Sequence, residues 1–137
     1  MTKYVLDACA LIALLNEEEG SSKVAALYEE SSNGKAEIVI NKVNLLEVYY
    51  GYLRENGELF AERQLHAVEN SIIKINNIIS NELFRQAGKM KGVYKMSLAD
   101  ALAVAQAVIL DAVLVTSDHH ELDAIDKANV IKLLWIR

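Results

Sequence analysis

Apolar positions along this chain come in two lengths that alternate. Short runs, "KYVL" (residues 3–6), "AEIVI" (36–40), "SIIKI" (71–75) and "AVLVT" (112–116), have the length and composition of buried strands, and "VIKLLW" (130–135) reads as a fifth. The longer stretches between them repeat apolar residues at helical spacing. "CALIALLNEE" (9–18) carries Leu11, Ile12, Leu14 and Leu15 and is broken by Gly20, and "SSKVAALYEESSNG" (21–34) ends at Gly34. "VNLLEVYYGYLRENG" (43–57) stops at Gly57, and "ELFAERQLHAVEN" (58–70) follows with Leu59, Phe60, Leu65 and Val68. "NELFRQAGKMKGVY" (81–94) and the nearly all-apolar "SLADALAVAQAVIL" (97–110) complete the set. The chain has no proline to cut these runs short. Strands alternating with helices predict a three-layer α/β/α fold around a central, mainly parallel sheet of four to five strands, as a single domain over 1–137.

In such sheets ligands sit beyond the carboxyl ends of the strands. Asp7 falls there, directly after "YVL", and so does Asp118, after "VLVTS". Two further acids stand near the starts of apolar helices. Asp100 lies in a stretch whose remaining residues to Leu110 are apolar except Gln106, and Glu47 lies in "VNLLEVYYGYL" with Asn44 and Gly51 on its face. Each acid has a structural explanation. Asp7 can cap a helix; "NLLE" can be a capping box with Asn44 as cap; "SLAD" fits the box with Asp in the last place; "TSDHHE" can be a turn capped by Asp118 or Ser117. Capping alone does not require a carboxylate within a helix that is apolar all round, where burial without a partner is costly. Four acids converging on one point would repel, so a cation must hold them. Oxygen-only donors suit Mg²⁺ or Mn²⁺, and neither zinc-type histidine spacing nor a cysteine cluster is present.

Composition narrows the field. The net charge of −5 argues against simple electrostatic binding of nucleic acid. If four acids serve a cation site, the remaining 15 face 14 Lys and Arg, which leaves a polyanionic substrate possible. No apolar run has the length of a membrane span, the opening "MTKYVLD" shows no signal-peptide pattern, and the single cysteine permits no internal disulfide. A cytoplasmic protein is expected.

At these acids the chain resembles a PIN domain, specifically the toxin of a VapBC toxin–antitoxin pair, over nearly its whole length. "VLDACALIALL" resembles the family's opening strand and "LD-small-small" turn; "NLLEVYYG" matches N-x-x-E-v-x-x-G; "SLADA" matches S-l-x-D-a; "TSD" matches T-x-D. The resemblance implies that Asp7, Glu47, Asp100 and Asp118 are the acidic quartet. Asp7 and Asp100 would be the main metal ligands, Asp118 a further one, and Glu47 would hold a metal or orient the attacking water. Asn44, Thr116 and Ser117 are the supporting polar residues. It implies a Mg²⁺- or Mn²⁺-dependent ribonuclease that hydrolyses RNA, a small cognate antitoxin as partner, a homodimer, and no membrane association.

Several residues need placing beside this reading. Cys9 stands where the family often has serine, and nearby carboxylates would disfavour its thiolate, so a catalytic thiol is not expected. His119 and His120 are expected as exposed turn residues, and Asp123 is a candidate outer ligand on a short helix that also carries Glu121 and Asp126. Lys89, Lys91 and Lys95 can meet phosphates or form a solvated helix end, and Trp135 is expected in the core or an interface. The three tyrosines of "VYYGYL" exceed what one small domain is expected to bury and point to a dimer interface. Two alternatives are a PIN fold that binds without catalysis, and a phospho-receiver domain, which "AEIVINKV" and "SIIKINN" argue against because neither supplies an acceptor Asp.

Overall fold

The computed structural model describes all residues, 1–137. Twelve elements follow in the order β1 (Thr2–Leu6), α1 (Ala8–Asn16), α2 (Ser21–Ser32), β2 (Ala36–Asn41), α3 (Lys42–Asn56), α4 (Glu58–Glu69), β3 (Lys74–Asn76), α5 (Asn81–Val93), α6 (Leu98–Leu110), β4 (Val113–Thr116), α7 (His119–Lys127) and β5 (Lys132–Trp135). The five strands form one sheet in the order β3-β2-β1-β4-β5, and every pairing is parallel. A receiver-like sheet has the order 2-1-3-4-5, so the topology rules out the phospho-receiver alternative.

Alternation along the strands builds the layers. Leu6 of β1 and Val115 of β4 join a core with Leu11, Val24, Leu45 and Val68 from α1 to α4. Their neighbours Val5 and Leu114 point the other way, into a core with Met90, Val104, Leu122 and Ile125 from α5 to α7. Helix α6 is buried continuously from Ala99 to Ala107, which is why its sequence is apolar all round.

The differences from the sequence reading are local. The run "SIIKI" starts pairing only at Lys74, because the Ser71 hydroxyl bonds the Val68 carbonyl and takes the Ile73 N–H, holding a turn where a strand was expected. In "VIKLLW" the strand begins at Lys132, after Asn129 turns the chain at φ 54°. His119 and His120, expected in a turn, open α7, the short helix expected to carry Glu121, Asp123 and Asp126. The three tyrosines divide their environments within one protomer. Tyr52 is buried with its hydroxyl on Asn16 and its ring edge-to-face with Phe60; Tyr49 is half-buried and bonds Glu62; Tyr50 alone is exposed. No helix is long and apolar enough to cross a membrane.

The order of strands reverses between β1 and β4, the point where a crevice opens at the carboxyl ends of the sheet. The C-terminal segment packs behind it: the Ile136 N–H bonds the Thr116 carbonyl, and Gly20, at φ 95°, passes so close that a Cβ there would stand 2.6 Å from the Ile136 oxygen.

Candidate active site

Each acid is set by a helix start at this crevice. Strand β1 ends at Leu6, and Asp7 caps α1 with Oδ1 accepting the Ala10 N–H at 2.8 Å. Its Oδ2 accepts the Thr116 hydroxyl at 2.5 Å. Thr116 closes β4, is wholly buried, and its Oγ1 also accepts the Asp118 N–H at 3.0 Å. Asp118 in turn caps α7 by accepting the Glu121 N–H at 3.1 Å. Helix α6 is capped by Ser97, which takes the Asp100 N–H at 3.1 Å and leaves the Asp100 carboxylate free of the capping task. Asp100 is 7% exposed and lines the crevice. Glu47 sits in the second turn of α3, half-buried, with the Tyr50 hydroxyl 3.5 Å from Oε2.

Asn44 ties the arrangement together. It is fully buried, its Oδ1 accepts the Ala8 N–H at 3.2 Å and its Nδ2 donates to the Ala99 carbonyl at 3.0 Å. It is not the helix cap that "NLLE" suggested. Asn41 caps α3, taking the Asn44 N–H at 2.8 Å, because the helix begins one residue before the apolar run. The space at Gly51 is open: a Cβ there would meet nothing within 4 Å.

The crevice has a volume of about 350 Å³, and its walls include Glu47, Asp100, Asp118 and Glu121 with Ser97, Tyr50 and Cys9. Asp7 lies beneath it, 1% exposed. The ion pairs of the chain are elsewhere, at Lys74–Glu37, His119–Asp123 and Arg137–Glu18, so no Lys or Arg neutralises the crevice acids. The acids share the crevice without three of them closing on a common point at metal-ligand range, as mutual repulsion dictates. Burial pushes the Asp7 carboxyl up to about 6; its bonds from Thr116 and Ala10 oppose this, and the charges of Asp118 and Glu47 add to it. Burial, then the charges of Asp7, Asp118, Glu121 and Glu47, push Asp100 up to about 7. Glu47 is raised by burial and by Asp118 and Glu121, against the pull of the Tyr50 hydroxyl. The donor set is hard oxygen, partly desolvated and without a counter-charge, which fits a divalent cation such as Mg²⁺ or Mn²⁺.

The structure therefore brings Asp7, Glu47, Asp100 and Asp118 to one end of the sheet, with Asn44 and Thr116 beneath them. Ser117 faces the Cys9 thiol rather than a carboxylate. Burial and the charges of Asp7, Asp118 and Asp100 push that thiol up to about 12, which favours its protonated form. His119 is turned away: its ring stacks on Trp135 at 3.8 Å and bonds Asp123 and the Arg137 carbonyl. Asp123 is thereby engaged outside the crevice, contrary to its candidacy as an outer ligand. Lys91 reaches the Met96 carbonyl at 2.7 Å, a structural tie at the α5–α6 turn. Glu121 was missed as a crevice acid; its place three residues after Asp118, in the first turn of α7, was the available signal.

Comparison with known families gives a direct result. The model of the PIN domain family matches residues 4–128. The chain belongs to the PIN domain family. Among solved structures, a toxin–antitoxin complex from Klebsiella pneumoniae superposes with a TM-score of 0.73 at 18% identity, covering 98% of each chain. VapBC2 from Rickettsia felis, bound to a DNA fragment from its promoter, gives 0.73 at 17%, covering 97% of this chain and 98% of that one. VapC20 from Mycobacterium tuberculosis, described as a sarcin–ricin loop cleaving toxin, gives 0.65 at 15%, covering 81% and 86%. At these identities the likeness is one of fold. No curated protein matches the chain.

Two outcomes are expected from this PIN domain. Asn44→Leu strands the Ala8 N–H and the Ala99 carbonyl and should cost about 2–4 kcal/mol of stability in urea unfolding; a loss under 0.5 kcal/mol would show that the tie does not hold the helices. The second concerns pH in EDTA. Asp7 and Asp100 bind protons more tightly folded than unfolded, so their contribution is full near pH 4 and is lost as pH rises through 6 and 7. Stability should fall between pH 5 and pH 8 by on the order of 2 kcal/mol, and Asp100→Asn should flatten the profile.

Proposed function

We propose that the chain is a divalent-cation-dependent endoribonuclease, the toxin half of a toxin–antitoxin pair, with Asp7, Glu47, Asp100 and Asp118 as its acidic quartet. The observation that carries this is Asp100: a nearly buried carboxyl raised to about 7, at a crevice walled by further acids and reached by no basic side chain. A structural carboxylate in such a place would be paired. This one is left for a ligand of opposite charge.

Asp7, Asp100 and Asp118 would hold the cation, Asp7 being fixed in orientation by the Ala10 N–H and the Thr116 hydroxyl. When bound, Mg²⁺ or Mn²⁺ supplies Lewis-acid polarisation of the phosphodiester and neutralises the charge that develops on it. Glu47, half-buried and raised, orients the attacking water, and the Tyr50 hydroxyl beside it fixes its carboxylate. The N-terminal ends of α1, α6 and α7, capped by Asp7, Ser97 and Asp118, lie at this crevice and favour negative charge there. Water adds to phosphorus and releases a proton to solvent, the P–O bond to the leaving ribose oxygen breaks, and that oxygen takes a proton from solvent. Lys89 and Lys95, which precede the third acid on either side of Lys91, would meet the RNA backbone.

The toxin assignment is supported by the fold, which is that of chains crystallised as toxin–antitoxin complexes. A small antitoxin would fill the crevice with a tail that brings Arg or Lys to the carboxylates. A second copy would pack on the exposed apolar residues Leu46 and Leu53 of α3. The alternative of a PIN fold that binds without catalysis gains nothing from the site, where all four acids are present and gathered.

The purified protein should cleave RNA with Mg²⁺ or Mn²⁺ and stop in EDTA, and Asp100→Asn should lower the rate by at least about a hundredfold with unchanged circular dichroism. Cleavage undiminished in Asp100→Asn, with contaminating nuclease excluded, would sink the assignment. In cells, expression of the chain alone should slow growth, and co-expression of the small protein encoded beside it should restore it; growth arrest that persists with Asp100→Asn would point to another mode of toxicity.

A further inference from the structure

Tyr49 and Tyr52 of α3 are taken up within the protomer, by Glu62 and by Asn16 with Phe60. Tyr50 between them is 41% exposed. Its hydroxyl has a task beside Glu47. Its ring has none in the reaction described so far.

The crevice wall is divided by helix. From α6 and α7 with their caps come Ser97, Asp100, Asp118 and Glu121, all polar. From α1 come Ala8, Cys9 and Ile12, none of them charged, and α3 gives Glu47 with Tyr50. A cation and its carboxylates need only the polar part. Leu46 and Leu53, exposed on the same helix as Tyr50, are not in this wall. Arg54, one turn beyond Tyr50, lies over the Tyr50 ring with its guanidinium carbon 5.5 Å from the ring centroid. None of the chain's ion pairs includes Arg54, so the ring is its partner.

The chemistry of the ring selects what it meets. A carboxylate or a bare phosphate is repelled by an electron-rich face. A cationic side chain would be drawn to that face, but Arg54 already sits over it. A flat, uncharged π-system can stack on the ring and find further apolar surface at Ile12. A phosphodiester brought to the carboxylates carries such a group on either side. We propose that Tyr50, steadied by Arg54, is the platform on which a nucleobase next to the scissile phosphate stacks. This rests on the nuclease reading and adds to it the group that sets where along the RNA the phosphate is placed. A base reaches the ring only when it is unpaired and turned out of its own stack. Every base has a π-face, so the platform itself tolerates any sequence.

The test is fluorescence anisotropy with two labelled probes of equal length, oligoadenylate and an abasic ribose-phosphate oligomer. Excess Ca²⁺, a hard cation that takes oxygen ligands, replaces Mg²⁺, and the RNA is shown to stay intact on a gel. Tyr50→Leu should weaken oligoadenylate binding about tenfold and leave the abasic oligomer unchanged, while Tyr50→Phe should bind both as the wild type does. The ring protons of Tyr50, assigned by their loss in Tyr50→Phe, should move upfield in the wild type with oligoadenylate and stay in place with the abasic oligomer, a measurement that stands even if Tyr50→Leu disturbs the fold. Oligoadenylate binding that Tyr50→Leu leaves unchanged, or equal weakening of both probes, would overturn the platform while leaving the nuclease reading intact. So would a change in the sedimentation of Tyr50→Leu without RNA, because the ring would then lie between copies of the chain. A wild type that binds neither probe would overturn the nuclease reading, and the platform with it.

Discussion

The carboxamide of Asn44 joins three segments that lie far apart in the sequence. Its oxygen takes the Ala8 N–H, its nitrogen holds the Ala99 carbonyl, and it is itself fixed at the start of α3 by Asn41. Each contact is adjacent to an acid: Ala8 follows Asp7, Ala99 precedes Asp100, and Glu47 is three residues along the same helix. Thr116 makes the corresponding link on the other side, giving a hydrogen bond to Asp7 and taking one from the Asp118 backbone. Two wholly buried polar side chains thus fix the chain segments that carry these carboxylates. Neutral groups can do this because each hydrogen bond is satisfied and none adds charge.

Capping and clustering turn out to be one arrangement. Asp7 and Asp118 cap the helices that follow them, and Ser97 caps the helix that carries Asp100. A cap places a carboxylate at the positive end of a helix dipole, and three such ends face the same crevice. Each end is worth about half a unit charge and acts over a single turn. That is too little for this many acids in a partly desolvated place, and the raised carboxyls of Asp7, Asp100 and Glu47 are the result. The site stores repulsion that a divalent cation would relieve, so the same contacts that assemble it make its stability sensitive to what it holds.

The layers were legible because hydrophobic period is set by burial: α6 reads apolar all round and is buried all round, and the strand runs alternate into the two cores. The four acids stood out in the sequence because a carboxylate among apolar neighbours needs a reason. What escaped depends on contacts between distant residues. Nothing in "INKVN" announces that Asn41 is the cap and Asn44 the tie, since either asparagine suits a helix start. Glu121 looked like one more solvated acid until α7 turned it toward Asp118. Tyr52 was assigned to an interface, and it is buried because α4 folds back to place Phe60 against it. Asp123 is taken up by a histidine four residues earlier that stacks on Trp135 of the last strand.

The central claim is that the acids are gathered to hold a cation, and Asp7 tests it most directly because it is both cap and cluster member. Thermal unfolding of the wild type, Asp7→Asn and Asp7→Ala would be followed in EDTA and in excess Mn²⁺. The wild type should gain stability with Mn²⁺, since a ligand stabilises the state that binds it. Asp7→Asn keeps an oxygen for the Ala10 N–H but removes a charge. It should match or exceed the wild type in EDTA and lose most of the Mn²⁺ gain. A wild type indifferent to Mn²⁺, with an Asp7→Ala loss of about 0.5–2 kcal/mol that is the same in both buffers, would reduce Asp7 to a helix cap and contradict the account.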